Sequence, residues 1–304
     1  LLAARSGQAD PRTQLVIGPW THGVESTRTP SAGERVFGSG AVVDYDAIVL
    51  DFLDRYVRDI PNGVESQPRV RMYAMGEDRW YDGDSVPLSG TRETRMLLGR
   101  NESSAIGSVS ATARRGSAPT TAYTADPQHP VRDDVGTGFG AYNLAHLRGR
   151  PDVATFDSAP FTSDTVVLGA LTGSLYVRLD RPDADLYLKV LDVAPNGTAY
   201  NLMSPGQEVM RISYRHRTST RENVTPGQVV RVDFLGERTG NMFKTGHRLR
   251  VQVVSSWAPD FSRNLQTGKP ESTSARTAVA RIQILHTNKH PSSVTLPVVK
   301  GTLP

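Results

Sequence analysis

From about residue 68 onward the chain is divided into short segments of alternating apolar and polar residues, and this pattern constrains the fold more than any other feature. Segments 70–75, 165–169, 174–179, 185–193, 209–214, 229–234, 248–255, 278–286 and 294–299 each read as a strand. Successive side chains of a strand point to opposite faces, so a period of two buries one face against another layer. Turn-forming residues separate the segments, as in Arg181-Pro182-Asp183, Pro195-Asn196-Gly197, Thr225-Pro226-Gly227 and Lys244-Thr245-Gly246. Proline presets φ and glycine supplies positive φ, which is what tight connections require. Many short strands at roughly ten-residue spacing predict a β-sandwich or barrel.

The first 66 residues have a different texture. Residues 14–20 form a short apolar run bounded by Asp10-Pro11 and Gly18-Pro19, as a buried strand ending in a loop would be, and His22 follows directly. Over 42–58, Tyr45, Ile48, Val49, Phe52, Leu53, Tyr56 and Val57 recur at three and four residues, which predicts a helix that faces a core. Asp51 with Arg55 and Asp54 with Arg58 would add pairs worth about 0.3 kcal/mol each on its wet side. Pro61-Asn62-Gly63 ends it. The expected division is an α/β piece over 1–66 and an all-β domain over 67–304. The stretch 101–121, rich in Ser, Ala, Thr and Gly, reads as a mobile or surface-hugging connection.

Composition removes several functions. There is no cysteine, hence no disulfide, thiolate metal site or cysteine nucleophile. The compartment stays open, with the bacterial cytoplasm preferred to secretion. A net charge of +4 spread without blocks argues against a nucleic-acid partner, although the pI is 9.4. Of the 35 basic residues only five are lysine, a bias that points to a GC-rich bacterial genome. No apolar run approaches the roughly 20 residues of a membrane-spanning helix, so no membrane partner is expected. The sequence starts at Leu1 and has no methionine before Met72, which suggests a piece of a longer protein.

His22 is the sharpest candidate for chemistry, because a histidine just past a buried strand is where a hydrolase triad carries its general base. The string Leu15-Val16-Ile17-Gly18-Pro19-Trp20-Thr21-His22-Gly23 is followed by Gly33-Glu34, Phe37-Gly38 and Phe52-Leu53-Asp54-Arg55-Tyr56. Further on come Tyr73-Ala74-Met75-Gly76-Glu77-Asp78-Arg79-Trp80, Tyr123-Thr124-Ala125-Asp126-Pro127, Arg150-Pro151-Asp152-Val153, Leu191-Asp192-Val193, Phe243, Gly246-His247-Arg248-Leu249-Arg250, Ser255-Ser256-Trp257 and Asn264. In this order they resemble the C-terminal part of the cocaine esterase and X-prolyl dipeptidyl-peptidase (CocE/NonD) family of serine hydrolases, over nearly the whole chain.

The resemblance implies a mostly β fold, namely a C-terminal remnant of an α/β-hydrolase domain followed by a jelly-roll (galactose-binding-like) β-sandwich. It also implies that His22 is the triad histidine. No Gly-x-Ser-x-Gly elbow occurs in the sequence, and Asp10 is too close to His22 to be the family's acid. The expected function is therefore the C-terminal portion of a serine hydrolase of esters or amides (an acyl ester, an amino-acid ester or an X-prolyl dipeptide). Its serine and aspartate lie elsewhere, and the chain alone is expected to be inactive. Expected partners are the missing N-terminal hydrolase portion, in the same or a separate chain, and a small acyl substrate, with a homo-oligomer as a further option. No cofactor and no metal are implied. The alternative from another class is a non-catalytic jelly-roll binding module, for example for carbohydrate.

In this family the β-domain helps to wall the acyl pocket, so Phe139, Tyr142 and Leu144 in the loop 133–147, with Trp20 and Trp257 and the neighbouring Phe261, are candidate substrate contacts. Interdomain packing is their competing reading. Four other motifs are set aside. Gly83-Asp84-Ser85-Val86 follows a polar run and not the apolar strand a nucleophile box needs. His286 and His290 lie in a strand pattern that would not bring both to one metal. His247 reads as holding a turn, and Asp183, Asp185 and Asp192 as solvated turn and strand ends without a calcium-loop pattern.

Overall fold

The computed structural model describes residues 10, 12–100, 104–112, 118–132, 139–204 and 208–304. Residues 101–103 and 113–117 of the expected connection, and 133–138 of the expected pocket loop, lie outside them. The run after Gln14 becomes β1 (Leu15–Ile17), and the chain then makes a small hairpin, β2 (Ser31–Ala32) with β3 (Arg35–Val36). The amphipathic stripe becomes α1 (Tyr45–Tyr56). The Asp44 carboxylate starts this helix by accepting a hydrogen bond from the Ala47 amide at 3.0 Å. Arg58 pairs with Asp54 as expected, whereas Arg55 turns to Asp59 and Glu65 instead of Asp51.

The helix does not face a core within this chain. None of its residues is buried, and Leu50, Leu53 and Val57, at helical spacing on one side, are 58%, 41% and 74% exposed. The chain then re-enters the sheet as β4 (Val70–Ala74) and β5 (Arg79–Gly83). β1 pairs in parallel with β4, Leu15 opposite Val70, and β4 pairs antiparallel with β5. The expected division at residue 66 falls between the paired strands β1 and β4.

The remaining strands are β6 (Arg92–Gly99), β7 (Gly107–Ser110), β8 (Thr120–Ala125), β9 (Ala154–Asp157), β10 (Thr165–Ala170), β11 (Thr172–Leu179), β12 (Asp185–Val193) and β13 (Ala199–Asn201). They continue with β14 (Glu208–Arg211), β15 (Val229–Phe234), β16 (Arg238–Phe243), β17 (Arg248–Val254), β18 (Ala280–Thr287), β19 (His290–Pro291) and β20 (Ser293–Lys300). The run expected as a strand over 209–214 turns into a 3-10 helix at Ile212. Among the described residues no helix is long and apolar enough to cross a membrane.

These strands form a β-sandwich. In one layer β12 and β17 pair antiparallel, flanked by β9, β13 and β14; in the other, β11 pairs with β15, β18 and β20. Alternate residues fill the core: Leu186, Leu188 and Val190 of β12, Leu249, Val251 and Val253 of β17, and Leu175, Val177 and Leu179 of β11. A Cβ added to Gly173 of β11 would stand 2.7 Å from Leu188 of β12, so the layers are in direct contact. β12 is buried on both faces. Its Tyr187, Leu191 and Val193 pack under a second apolar cluster that includes Leu144, Leu147, Val153 and Trp257. The β1–β4–β5 sheet rests on the sandwich through a third cluster, in which Val70, Met72 and Ala74 meet Val166, Leu168 and Met242.

A backbone contact joins the two parts. The Glu34 amide donates to Ala141 O at 2.8 Å and the Ala141 amide to Ala32 O at 3.2 Å, so the β2–β3 turn lies directly on the loop at residue 141. Only glycine fits there. Gly33 has φ +63°, and its Cβ would stand 2.6 Å from Ala141 O; Gly140 faces it with its own Cβ position 2.5 Å from Gly33 N. Gly63 has a similar φ of +79° but open space around it. Urea unfolding is expected to show Gly63→Ala costing about 1 kcal/mol and Gly33→Ala about 2 kcal/mol more, since only the latter adds a collision to the backbone strain. Equal costs would mean that the close approach is not held.

Candidate functional site

Where the β1–β4–β5 sheet meets the sandwich, a cleft of about 350 Å³ opens. Its walls come from both parts of the chain. The loop after β1 contributes Trp20, Thr21 and His22, the segment around the hairpin Ala32 and Phe37, and the end of β4 Tyr73 and Met75. The sandwich contributes Phe139, Asn201, Met203, Ser204, Arg238 and Thr239.

Local packing fixes these walls. Trp20 donates through Nε1 to Ala41 O at 2.8 Å and Trp80 through Nε1 to Gly40 O at 2.7 Å, with their rings 5.9 Å apart. Tyr73 lies edge-on to Trp80 at 5.3 Å and to Phe37 at 6.5 Å. Burial, aided by the negative charge of Asp78, pushes the Tyr73 hydroxyl up to about 12, so it stays protonated at neutral pH. On the sandwich side Asn201 Nδ2 donates to Gly140 O and Met203 O, both at 2.9 Å, and Thr239 Oγ1 donates to Leu202 O. The mouth is polar, because His22 and Arg238 are both exposed. Among the described residues the His22 ring makes no hydrogen bond or ion pair.

The candidate residues separate into two groups. His22, Trp20 and Phe139 line the cleft together, and Phe139 is 59% exposed at its rim. Leu144 and Trp257 are fully buried in the cluster beneath β12, with Tyr142 and Phe261 packed against it, and none of the four lines the cleft. The reason lies in β12: with both of its faces buried, the 142–153 segment and Trp257 are consumed in covering the second one. Cleft residues that the sequence reading passed over include Phe37, Tyr73, Met203 and Arg238. Tyr73 stood within a quoted motif, but only the pairing of β4 with β1 brings it beside the histidine loop.

The other polar motifs are structural. Asp183, Asp185 and Asp192 are buried, which corrects their reading as solvated ends. Each is held by donors. Asp183 accepts from the Ser213 amide and hydroxyl, Asp185 from Arg211 and Asn264, and Asp192 bonds His247 Nδ1 at 2.8 Å. Burial of a carboxylate is tolerated only with such partners. Ser85 hydrogen-bonds to Pro87 O in a turn. His286 bonds Thr121 Oγ1 at 2.8 Å, whereas His290 packs on Tyr176.

Residues 62–295 match the model of the X-Pro dipeptidyl-peptidase C-terminal non-catalytic domain. The chain belongs to that family. It is 32% identical over 311 residues to the cocaine esterase of Rhodococcus sp. (strain MB1 Bresler), covering 96% of this chain and 52% of that protein. Among solved structures it is similar to an α-amino acid ester hydrolase, with a TM-score of 0.77 and 26% identity over 94% of this chain and 50% of that one. The fold is shared as well with an aminopeptidase from a marine sediment archaeon (Thaumarchaeota archaeon), with a TM-score of 0.80 and 23% identity over 95% of this chain and 49% of that one. The chain spans about half the length of these relatives, and it is a C-terminal part of the CocE/NonD type. Its family is one of esterase- and peptidase-like hydrolases whose C-terminal domain is itself non-catalytic.

One partly buried histidine makes the stability of this chain's sandwich depend on pH. Burial, with the positive Arg100 nearby, lowers His286 to about 4. Below about 6.5 the unfolded chain takes up a proton that folded His286 refuses, so stability falls as pH drops from 6.5 toward 4, by up to about 3 kcal/mol. Urea unfolding at pH 7 and at pH 4.5 is expected to show a smaller fall for His286→Asn than for the unmodified chain.

Proposed function

We propose that this chain is the C-terminal part of a serine hydrolase that cleaves an ester or amide, with His22 as general base and with the nucleophilic serine and the aspartate on residues outside 1–304. The observation that carries this reading is the cleft, in which an exposed imidazole stands beside an aromatic wall built jointly by the hydrolase remnant and the sandwich. A ring with no partner among the described residues, at the mouth of an apolar cleft, is free to meet a hydroxyl brought by another segment.

In the complete enzyme His22 would take the proton of the serine hydroxyl as that oxygen attacks the carbonyl carbon. It would return the proton to the leaving alcohol or amine, and a water would then release the acyl group by the same exchange. Trp20, Phe37, Tyr73 and Phe139 would enclose the acyl side chain. The names of the relatives favour an amino-acid ester, another acyl ester or a peptide with a free amino end as substrate class. The division into a hydrolase remnant up to residue 66 and a sandwich from 67 is part of this proposal. The uncovered Leu50, Leu53 and Val57 of α1 support it, since a helix with an apolar side of this kind requires a covering layer, and the rest of the hydrolase domain is the layer proposed.

Two outcomes are expected in the full-length protein. His22→Gln lowers kcat for an activated acyl ester by at least about 10³-fold with little change in stability, because members of a triad act as a unit; near-normal turnover of this variant would exclude His22 as the base. Leu50→Asp costs about 3 kcal/mol in thermal or urea unfolding if the hydrolase layer buries it, against less than about 0.5 kcal/mol for a leucine that stays in water.

A further inference from the structure

A second cleft, of about 290 Å³, shares no lining residue with the first. It is bounded by the turn at Pro195 and Gly197, the turn at Gly246, and Arg148, Arg248, Arg250 and Asp157, which are its only charged residues. Arg250 Nε and Nη2 donate to Asp157 Oδ1 and Oδ2 at 2.6 and 3.1 Å, and Arg148 Nε donates to Oδ2 at 3.1 Å. Arg248 Nη1 donates to Ser158 O at 2.7 Å. One carboxylate shares the cleft with three guanidinium groups, leaving the cluster with a formal excess of two positive charges.

The decisive atom is Arg250 Nη1. The Arg250 side chain is 4% exposed, and Nη1 is buried without a hydrogen-bond partner. An unsatisfied donor on a buried cation is costly, and the fork already spent on Asp157 leaves this nitrogen available to another acceptor. Among the described residues neither Nη of Arg148 makes a hydrogen bond, so the cleft holds further donors in its wall. Planar guanidinium groups match the oxygen spacing of tetrahedral oxyanions, and the charge excess favours a dianion over a monoanion.

We propose that this cleft is an oxyanion site for a phosphate group, bound by Arg148, Arg248 and Arg250 while Asp157 holds Arg148 and Arg250, and Ser158 O holds Arg248, in place. The phosphate is either inorganic or the terminal group of a monoester. The site is separate from the His22 cleft and needs no part of the hydrolytic reading.

The test is titration calorimetry of the full-length protein with inorganic phosphate and with phenyl phosphate, alongside thermal unfolding in phosphate and in sodium chloride of matched ionic strength. The expected result is saturable binding with a rise in Tm that chloride does not reproduce. The exposed arginines are substituted together, Arg148→Gln with Arg248→Gln, and affinity is expected to fall at least tenfold. Arg250 is left in place, because its own side chain is buried and its removal would leave a gap beside Asp157 and risk the fold. Arg276→Gln, outside the cleft, keeps full affinity. Comparable binding of both ligands assigns a monoester, and binding of inorganic phosphate alone assigns the free anion. A Tm rise equal to that in chloride, or undiminished binding by the double variant, overturns the proposal.

Discussion

The guanidinium of Arg35 is the interaction on which the rest of the arrangement depends. It sits on the β2–β3 hairpin of the N-terminal part yet is nearly buried, with Nη2 donating to Asn241 Oδ1 at 2.9 Å and standing 3.9 Å from Asp192 Oδ2. Phe37 and Tyr200 flank it at 5.7 and 5.9 Å. Burial pulls its pKa below the ordinary arginine value, and the charge of Asp192 opposes that pull. A cation in this position is tolerated only while the sandwich keeps its acceptors in place, because a charge stripped of water and left unpaired costs several kcal/mol. The hairpin is thereby tied to β12 and β16, and Asp192 in turn to His247 on the β16–β17 turn.

From that anchor the cleft follows. The hairpin cannot shift without breaking the Arg35 contacts or the backbone bonds between Ala32, Glu34 and Ala141. β4 is bound on one edge to β1 and at its end to β16, where Met75 exchanges hydrogen bonds with Gly240 and Met242. Gly240 admits this approach because a side chain there would collide with Tyr73 O. The loop carrying His22 and the sandwich residues Phe139, Met203 and Arg238 are therefore held against one another by strand pairing and a buried ion, and not by loose surface contact. This is how a domain described as non-catalytic takes part in shaping a hydrolase's acyl pocket under the proposed reading.

Much of the architecture was legible because its cause is local. Alternation with turn chemistry marked 185–193 and 229–234 to the residue, and the helical period over 42–58 marked α1. Strands escaped where their residues are atypical: Arg92–Gly99 begins Arg-Glu-Thr-Arg, and Arg238–Phe243 contains Gly240 and Asn241. Those residues are tolerated through distant partners: in β6 Arg92 donates to Gly301 O and Arg95 to Ser293 Oγ and Pro291 O, and β16 has a close backbone approach and the Arg35 bond. The buried aspartates were misjudged for the same reason. Arg211 lies 26 positions from Asp185, and Asn241 lies 206 from Arg35, so no window along the chain reveals the partner.

The sequence by itself determined the β-rich class, the amphipathic helix and the family landmarks, and it singled out His22 as a candidate, since each rests on period, turn residues or a run of adjacent positions. Only the tertiary structure decided which aromatics meet His22, because Trp20 and Phe139 reach the cleft while Tyr142, Leu144 and Trp257 are taken up in covering the second face of β12. It alone also brought Arg148, Asp157 and the arginines of β17 into one cleft. Period and composition state what a residue prefers to be beside; which residue is there is set by sheet order, and sheet order is a property of contacts far apart in the chain.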